Sequence, residues 1–350
     1  MKHQTTRYGE IPFYKIGTFG NTADAFISKK LFLEYKTKYS FPKKGDILIS
    51  ASGTIGRAVI YDGKPAYFQD SNIVWIDNDE ILVKNDFLFY AYSNVKWNTE
   101  HTTILRLYND NFRNTLIPLP PLNEQSAIAN ILSGLDRYLC ALDALILKKE
   151  GVKKALSFEL LSQRKRLKGF NQAWQRVRLG DICEIVKGQQ INKISLNNTD
   201  KYPVINGGID FLGYTNKFNV SKNTIAISEG GTCGYVRFMT SNFWSGGHNY
   251  SLQKISNKVN NLCLYHILKS YEKDIMKLGV GSGLKNIQLK ALKDFEIPLP
   301  PLNEQSAIAN ILSTLDNEIA SLKNKKRQFE NIKKALNHDL MSAKIRVLEK

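Results

Sequence analysis

The sequence predicts an α+β protein in which two mixed α/β globular domains are separated by a long antiparallel two-helix coiled coil, with a pseudo-twofold internal repeat. Three observations favour this fold. The segment Ile117–Ser133 recurs letter for letter at Ile297–Ser313. Each copy opens an apolar stripe with coiled-coil spacing. Short β-branched runs between Gly, Asp and Lys precede each copy and predict strands. The chain therefore contains two copies of one plan, a variable globular region followed by a fixed helical region.

The repeat also sets the predicted domain boundaries. Lys153–Leu156 and Lys333–Leu336 continue the match in the same register, so neither copy has gained or lost a residue after the shared segment. The predicted order is globular, helical, globular, helical, with these boundaries: 1–116, 117–169, 170–296 and 297–350.

The first globular region carries three runs that predict strands, at 46–50, 57–61 and 72–76, and a compact aromatic stretch at 86–97 that predicts a helix. The second region repeats this order. It predicts strands at 204–205 and 224–228 and a helical stretch at 259–278. A Gly-Thr loop follows a strand in both regions. The second region has an opening strand and turn, from Trp174 onward, for which the first region has no counterpart.

The repeated segments predict long helices. Pro118, Pro120 and Pro121 predict an extended lead-in, and Asn123 is the predicted N-cap. The apolar rows then run in heptads, interrupted by lysines such as Lys149. The globular region between the helices must return the chain to its starting end, so we expect the helices to pair antiparallel. A helix of this length spans roughly 65 Å, about two turns of B-DNA at roughly 34 Å per turn.

The charge of the chain indicates an acidic partner. The formal net charge is +17, while 43% hydrophobic and 23% charged residues are ordinary for a folded protein. Nucleic acid is the leading candidate; an anionic membrane surface, or a charge that serves only solubility, is the alternative.

The apolar runs and the cysteines predict a cytoplasmic protein. The most apolar stretch, Ile131–Leu147, is broken by charged residues, and the first residues lack the apolar core of a signal peptide. The four cysteines lie far apart and form no CxxC pair. We therefore expect reduced thiols, no membrane association, no metal and no cofactor.

The residues quoted above resemble the specificity subunits of type I restriction-modification enzymes. The resemblance rests on Pro-Leu-Pro-Pro-Leu-Asn-Glu-Gln heading a long helix twice, and on the strand followed by Ser52–Gly56. It covers nearly the whole chain. It implies that each globular region is a target recognition domain that reads half of a split double-stranded DNA sequence. It also implies that the helices set the spacer and dock two methyltransferase subunits, with restriction and translocase subunits completing the complex.

The resemblance further implies that this subunit is not an enzyme, and the sequence favours the same conclusion. It carries no phosphate-binding loop of the Gly-x-x-x-x-Gly-Lys-Ser/Thr type, no His-Glu-x-x-His and no discernible pair of catalytic carboxylates. Gly279–Gly283 follows a predicted helix and is interpreted as a turn. A stand-alone DNA-binding or scaffolding protein remains the alternative function.

Phosphate contacts come from Lys and Arg, and base contacts come from polar side chains that reach the grooves. On that basis, we select candidates in and around the glycine-rich loops. In the first domain they are Lys43, Lys44, Ser52, Thr54, Arg57, Gln69 and Asn72. In the second domain they are Lys187, Gln189, Gln190, Lys193, Thr232, Arg237, His248 and Asn249. The Gly-Thr loops occur in both domains, so the variable loops 18–38 and 207–217 are better candidates for reading different bases.

The repeat identity is densest at the start of each helix, beyond what a coiled-coil seam requires. This identity is explained if each copy presents the same surface to a partner. The alternative is that both copies share the same helix cap and the same packing at the corner between helix and globular domain. The residues predicted to dock the two methyltransferase subunits are Glu124, Gln125, Ile128, Glu304, Gln305 and Ile308.

Overall fold

A computed structural model describes residues 4–68, 72–97 and 106–347 of the chain. The fold is mixed α/β with two long helices, α4 (Leu122–Leu161) and α9 (Leu302–Met341). The chain divides into two compact units. Unit 1 comprises Met1–Asp143 and Asn324–Lys350, and unit 2 comprises Ala144–Lys323. Each unit holds one globular domain and one half of each long helix, because the helix halves pack on each other within the unit.

The described residues of unit 1 form two three-stranded sheets. The strands are β1 (Ile11–Tyr14), β2 (Ala25–Ile27), β3 (Ile47–Ser50), β4 (Ala58–Ile60), β5 (Tyr67–Phe68) and β6 (Ile73–Ile76). In the first sheet the order is β2-β1-β5, with β1 antiparallel to β2 and parallel to β5. In the second sheet the order is β4-β3-β6, all antiparallel. The short helices are α1 (Lys29–Lys38), α2 (Asn85–Tyr92) and α3 (Asn109–Arg113).

Unit 2 repeats this arrangement with additions. The strands are β7 (Gln175–Arg178), β8 (Glu184–Lys187), β9 (Tyr202–Ile205), β10 (Gly213–Thr215), β11 (Thr224–Ser228), β12 (Val236–Met239), β13 (Trp244–Ser245), β14 (Asn249–Gln253), β15 (Gly279–Val280), β16 (Asn286–Ile287) and β17 (Glu296–Leu299). The two larger sheets have the orders β10-β9-β13 and β12-β11-β14-β8, and β17 pairs with β7. The helices are α5 (Leu179–Ile182), α6 (Asn261–Ser270), α7 (Glu272–Lys277) and α8 (Leu289–Lys293).

The core of each unit forms where a helix covers the central strand of a sheet. In unit 1, Ile47 and Ile49 on β3 are buried together with Leu88 on α2. In unit 2, Ile225 and Ile227 on β11 occupy the corresponding places in a larger core. The alternation of side chains along a strand places these residues on one face, so the same pattern yields the same packing twice.

The two long helices run antiparallel in unit 1. Asp136 contacts Lys333, while Asp143, seven residues later, lies 2.7 Å from Lys326, seven residues earlier on the partner helix. In unit 2, Lys149 lies 2.6 Å from Glu318, and Lys153 contacts Asp316. The predicted antiparallel pairing is confirmed within each unit. The lysines that interrupt the apolar rows are ion-paired across the helices, which explains how the stripe tolerates them.

The helix ends differ from the sequence expectation. Helix α4 begins at Leu122, so Asn123 lies inside the first turn, where its Oδ1 accepts from the Glu124 N–H at 2.9 Å. It ends at Leu161, eight residues before Gly169. Gln163 adopts φ +61°, the left-handed conformation that ends a helix. Ala343 repeats this turn after α9, with φ +55°.

Other sequence expectations needed smaller corrections. Helix α2 ends at Tyr92 rather than at Trp97, and the helical stretch over 259–278 is two helices that meet at Tyr271. The segment Gly279–Gly283 starts a short hairpin, because β15 pairs with β16. None of the helices among the described residues combines the length and apolar character that crossing a bilayer requires.

Candidate nucleic-acid interface

The glycine-rich loop after β11 lies at the centre of the candidate interface in unit 2. The Thr232 N–H donates to the Gly207 carbonyl at 2.8 Å, and the Glu229 N–H donates to the His248 carbonyl at 2.9 Å. Gly207 has φ +81°, and a Cβ there would lie 2.5 Å from the Gly230 oxygen, so only glycine fits. These contacts bring Thr232 and His248 together from two different loops.

The end of β8 adjoins the same loops. The Gln189 N–H donates to the Ser245 carbonyl at 2.8 Å. Gly247 lies against the Gln190 side chain so closely that a Cβ would come within 2.5 Å of its Nε2. Both glutamine side chains are exposed. Four predicted residues, Gln189, Gln190, Thr232 and His248, therefore belong to one surface.

Glu229 lies beneath this surface, and sequence reasoning missed it. Its carboxylate is largely buried, with 11% of the side chain exposed, and lies 2.7 Å from the Lys187 Nζ. The Tyr250 hydroxyl donates to the same carboxylate oxygen at 3.2 Å, and burial together with this carboxylate raises the pKa of Tyr250 to about 12. The other oxygen, Oε2, has no partner among the described residues. Lys187, selected for phosphate contact, is therefore already paired within the domain.

Arg237 holds in place the variable loop 207–217, which was expected to read bases. Its guanidinium donates to the Gly208 carbonyl at 3.3 Å and also to the Ile209 carbonyl. It stacks between the rings of Phe211 at 5.2 Å and Tyr235 at 5.3 Å. The arginine is half-buried by these contacts, so its role in this structure is to hold the loop in place.

In unit 1, Arg57 holds a variable segment in the same way. Its guanidinium donates to the Phe19 carbonyl at 2.9 Å, which fixes the start of the variable segment 18–38. Most of that segment is regular structure, β2 and α1, so the expectation of a loop over its whole length is corrected. Thr54 is exposed on the neighbouring Gly-Thr loop, and its carbonyl accepts from the Ser50 hydroxyl. Each unit thus presents a Gly-Thr loop beside a variable loop that an arginine holds.

Two of the selected residues are unavailable to DNA in this conformation. Ser52 is only 9% exposed and Asn249 only 2%. The Ser52 hydroxyl donates to the Asn72 Oδ1 at 2.8 Å, which also engages the half-buried Asn72. The Ser52 hydroxyl thus stabilises its loop from within, whereas Asn249 contributes backbone bonds, since its carbonyl accepts from the Gly188 N–H at 2.8 Å. The selection of Ser52 and Asn249 as direct contacts is corrected, because both are buried.

In unit 1, the two selected lysines lie at the opposite end of β3 from the Gly-Thr loop. Lys43 and Lys44 precede β3 whereas the Gly-Thr loop follows it, and the Lys43 Nζ lies 3.1 Å from Asp77. In unit 2, Lys193 is exposed in a one-turn 3-10 helix. Gln69 lies outside the described residues.

The residues selected for docking are inside the protein. Each of the six is at most 3% exposed; they are Glu124, Gln125, Ile128, Glu304, Gln305 and Ile308. The Gln125 side chain accepts from the Lys84 N–H at 2.8 Å and donates to the Leu82 and Pro120 carbonyls. Gln305 makes the same three kinds of bond in unit 2. Their contacts are those of a cap and a packed corner, so the expectation that these side chains meet a partner directly is corrected.

Two arginines that sequence reasoning missed complete these corners. Arg166, which follows α4, donates two hydrogen bonds to the Glu304 carboxylate, with Nε–Oε1 and NH2–Oε2 distances of 2.8 and 2.7 Å. Arg346, which follows α9, donates the same two bonds to Glu124, at 2.6 and 2.5 Å, and holds the pKa of that carboxyl below its usual range. The fork geometry suits a carboxylate. The sequence does carry a signal, because Ser162-x-x-x-Arg166 recurs 180 positions later, the same offset as Glu124 to Glu304.

The described residues contain no group of three or more His, Cys, Asp or Glu side chains that could hold a metal ion. Two features are built twice, once in each unit: the Gly-Thr loop with its neighbouring arginine, and the arginine–glutamate pair at the start of each long helix.

Comparison with known proteins agrees with this duplication. A family model described as the type I restriction modification DNA specificity domain matches residues 1–149 and 171–331. A Haemophilus influenzae protein assigned as a type I restriction enzyme specificity subunit is 64% identical over 133 residues, which cover 38% of this chain and 34% of that protein. The matched stretch thus spans about a third of that relative's own length.

Other relatives match over most of their length. The MjaVIII specificity subunit of Methanocaldococcus jannaschii is 26% identical over 363 residues, covering 93% of this chain and 84% of that protein. The fold is similar to the crystal structure of a type I restriction-modification S subunit from Mycoplasma genitalium, with a TM-score of 0.72 at 21% identity, covering 97% of this chain and 91% of that one. Since the family model matches both copies of the repeat, the chain belongs to the family of type I restriction-modification specificity subunits.

Proposed function

We propose that this chain is the DNA-recognition subunit of a type I restriction-modification complex and that each globular domain reads one half of a bipartite double-stranded target. The observation that carries the proposal is the duplication itself. Each unit presents a Gly-Thr loop, Gly53–Gly56 or Gly231–Gly234, after its central strand and beside a variable loop held by an arginine. The shared loops supply a common frame, and the differing loops supply different readout. The net charge of +17 favours the polyanion.

In this proposal the long helices set the spacer between the two half-sites. Helices α4 and α9 each have 40 residues without a break, and their paired lysines and carboxylates fix their relative register within each unit. The subunit itself carries out no methylation or cleavage. The methyltransferase and translocase partners supply those activities, so DNA recognition and catalysis are divided between chains.

The spacer role can be tested by inserting one heptad into both helices, after Asp143 and after Lys325, so that the antiparallel register is preserved. Seven residues lengthen a helix by about 10 Å, or about three base pairs at roughly 3.4 Å per pair. Sequencing of methylated sites in cells that express the variant with its methyltransferase should show unchanged half-sites and a spacer longer by about three base pairs. Replacing residues 144–150 by the inserted heptad, without changing the length, is the matched control. Altered half-site sequences, or an unaltered spacer, would contradict the proposal.

The six residues first selected for docking are buried, so a docking surface must use other residues of the repeated segment. The same repeated segment also has an outward side, where Leu122 is 40% exposed and Leu302 is 46% exposed. Asn130 and Asn310 are exposed on the same repeated turns. We propose that this outward side docks one methyltransferase subunit at each repeat. Identical exposed residues at two places suit two copies of one partner.

Substitution of the exposed leucines tests this surface. Leu122→Glu or Leu302→Glu alone should lower the co-purified methyltransferase from two copies per chain to one, and the double variant should retain none. Leu147→Glu is the matched control, because Leu147 is 68% exposed on α4 but lies outside the repeated segment. Two copies retained by the double variant would exclude this surface.

A further inference from the structure

A glycine-rich hairpin lies beside the candidate interface of unit 2. It spans residues 279–287, where β15 and β16 pair antiparallel, with Gly279 opposite Ile287 and Val280 opposite Asn286. Residues 281–285 connect the two strands and form its tip. All residues from 280 to 286 are exposed. The 279–287 hairpin therefore presents a short two-stranded ribbon to its surroundings.

The base of the 279–287 hairpin is anchored in the domain. The Ile287 N–H donates to the Glu229 carbonyl at 2.9 Å, and the Ile287 carbonyl accepts from the Tyr250 hydroxyl at 3.0 Å. Ile287 itself is fully buried in the core of unit 2. Asn286 packs so closely on Gly230 that a Cβ there would lie 2.2 Å from the Asn286 Oδ1. The hairpin thus has a fixed base and an exposed tip.

Glu229 links the hairpin to the candidate interface. Its carbonyl accepts from Ile287, whereas its N–H donates to the His248 carbonyl at 2.9 Å. The Gly-Thr loop follows directly, and the Thr232 N–H within it donates to the carbonyl of Gly207, at the start of the variable loop 207–217. Main-chain hydrogen bonds therefore join the hairpin, the Gly-Thr loop and the variable loop. A partner that covers Thr232 and His248 lies beside the hairpin as well.

The composition of the hairpin suits a polyanion. Residues 279–287 contain no Asp or Glu, so no carboxylate of the hairpin would repel a phosphate. Lys285 and Asn286 are exposed where the tip meets β16. Lysine and asparagine side chains are among the groups that contact DNA phosphates. Charge complementarity therefore favours DNA over an apolar protein surface as the partner of the hairpin.

Leu284 is the apolar residue of the tip, and it is 81% exposed. A lone exposed leucine is ordinary on a protein surface, so its exposure by itself indicates no partner. The backbone, however, holds Leu284 in a defined place. Gly281 has φ +135°, and a Cβ there would lie 2.3 Å from the Leu284 carbonyl oxygen, so the tip requires glycine at that position. Leu284 is therefore presented on a specific turn at the end of the ribbon.

The width of the ribbon decides which groove of DNA it enters. The major groove, about 12 Å wide, admits a two-stranded β-ribbon, whereas the minor groove is only about 6 Å wide. In the major groove, the base edges present hydrogen-bonding groups and one apolar group, the C5 methyl of thymine. An apolar side chain at the tip of a ribbon in this groove therefore has the thymine methyl as its partner.

We propose that the 279–287 hairpin enters the major groove of the half-site read by unit 2, where Leu284 contacts the C5 methyl group of a thymine and Lys285 contacts a phosphate. The inference rests on the proposed function and extends it by naming one base and the residue that reads it. Leu284 determines specificity, and Lys285 positions the hairpin, because only contacts to base edges carry sequence information.

The test uses the full chain with its methyltransferase and a fluorescent duplex that carries the target found by sequencing methylated sites. Each thymine of the two half-sites is replaced in turn by deoxyuridine, which lacks only the C5 methyl group. One replacement should weaken binding about fourfold, as burial of one methyl group predicts, when affinity is measured by fluorescence anisotropy. The Leu284→Ala chain should bind the thymine and deoxyuridine duplexes equally.

Val280→Ala is the matched control, because Val280 is 55% exposed on the same hairpin but lies in β15 rather than at the tip. This variant should retain the fourfold difference between the two duplexes. Lys285→Ala should instead weaken binding to all sequences alike and lower the slope of log affinity against log salt by about one. An unchanged slope would overturn the phosphate contact.

The assignment of Leu284 would be overturned if no deoxyuridine replacement weakened binding, or if Leu284→Ala kept the difference that the unchanged chain shows. Loss of the methyltransferase from the Leu284→Ala complex, with the difference retained, would assign the hairpin to a protein partner instead. These outcomes leave the proposed function intact. Absence of sequence-specific binding by the unchanged complex would overturn the proposed function and this inference together.

Discussion

The ion pair between Arg166 and Glu304 should carry much of the stability of its corner. Arg166→Met removes two charge-assisted hydrogen bonds of 2.8 and 2.7 Å from a carboxylate that is 1% exposed. Removing one partner of a buried pair costs about 3–5 kcal/mol. Because the arginine side chain is 26% exposed and the Trp174 Nε1–H still donates to Glu304, we expect the lower end, about 3 kcal/mol.

Urea unfolding, followed by circular dichroism and by hydrogen exchange in the first turn of α9, measures this loss. Arg164→Met is the matched control, because that guanidinium stacks on the Phe158 ring at 4.9 Å, two residues from Arg166. Arg346→Met should cost less than Arg166→Met, since the Arg346 side chain is 54% exposed.

A double-mutant cycle with Glu304→Gln isolates the pair itself. The coupling between the two substitutions should exceed about 1 kcal/mol. The reasoning would be refuted if Arg166→Met destabilised the protein no more than Arg164→Met does, or if the cycle showed no coupling.

Three further predictions concern the buried histidine, the helix ion pairs and the loop arginine. Burial lowers the pKa of His266 to about 4, below the unfolded value of 6.5, so the unfolded state binds more protons between these values. The contribution of His266 to the free energy of unfolding should be fully present above pH 6.5, and this free energy should fall by up to roughly 3 kcal/mol towards pH 4. In urea titrations at several pH values, His266→Gln should reduce this fall, and an unchanged dependence on pH would contradict the prediction. Replacing Lys153 and Asp316 together by leucine should raise the unfolding free energy by about 1–2 kcal/mol, whereas Asp316→Leu alone should lower it, as thermal denaturation can check; a loss of stability in the double variant would count against this. Arg237→Ala should weaken binding to the cognate half-site by about 1–2 kcal/mol, measured by anisotropy against Lys193→Ala, which should lower affinity for all sequences alike.

Much of the fold could be predicted from the sequence because the repeat and the heptads are local patterns. The central strands were located to within a residue, at Ile47–Ser50 and Thr224–Ser228. The helix ends could not be located so well. Gln163 turns the chain after α4, although nothing in its residue type favours the left-handed conformation. Tertiary contact overrides local preference there because the turn brings Arg166 to Glu304.

The candidate site was predicted in part. Gln189, Gln190, Thr232 and His248 lie together as their glycine-rich neighbours suggested. Burial could not be inferred from residue type, so Asn249 was selected although it is only 2% exposed, and Glu229 was missed. A motif repeated in sequence can be used inward as readily as outward, and the sequence offers no means of distinguishing the two.

The sequence by itself determined that this protein has two copies of one plan, a basic charge and a paired helical frame. These follow from composition and spacing, which need no knowledge of which residues meet. Only the tertiary structure decided that Glu124 and Glu304 face inward, each held by an arginine that follows the other helix. The reason is physical: charged side chains exposed in an extended chain become buried only when a distant residue neutralises them. Such a partner, 138 or 222 positions away, is fixed by the fold rather than by neighbours in the chain.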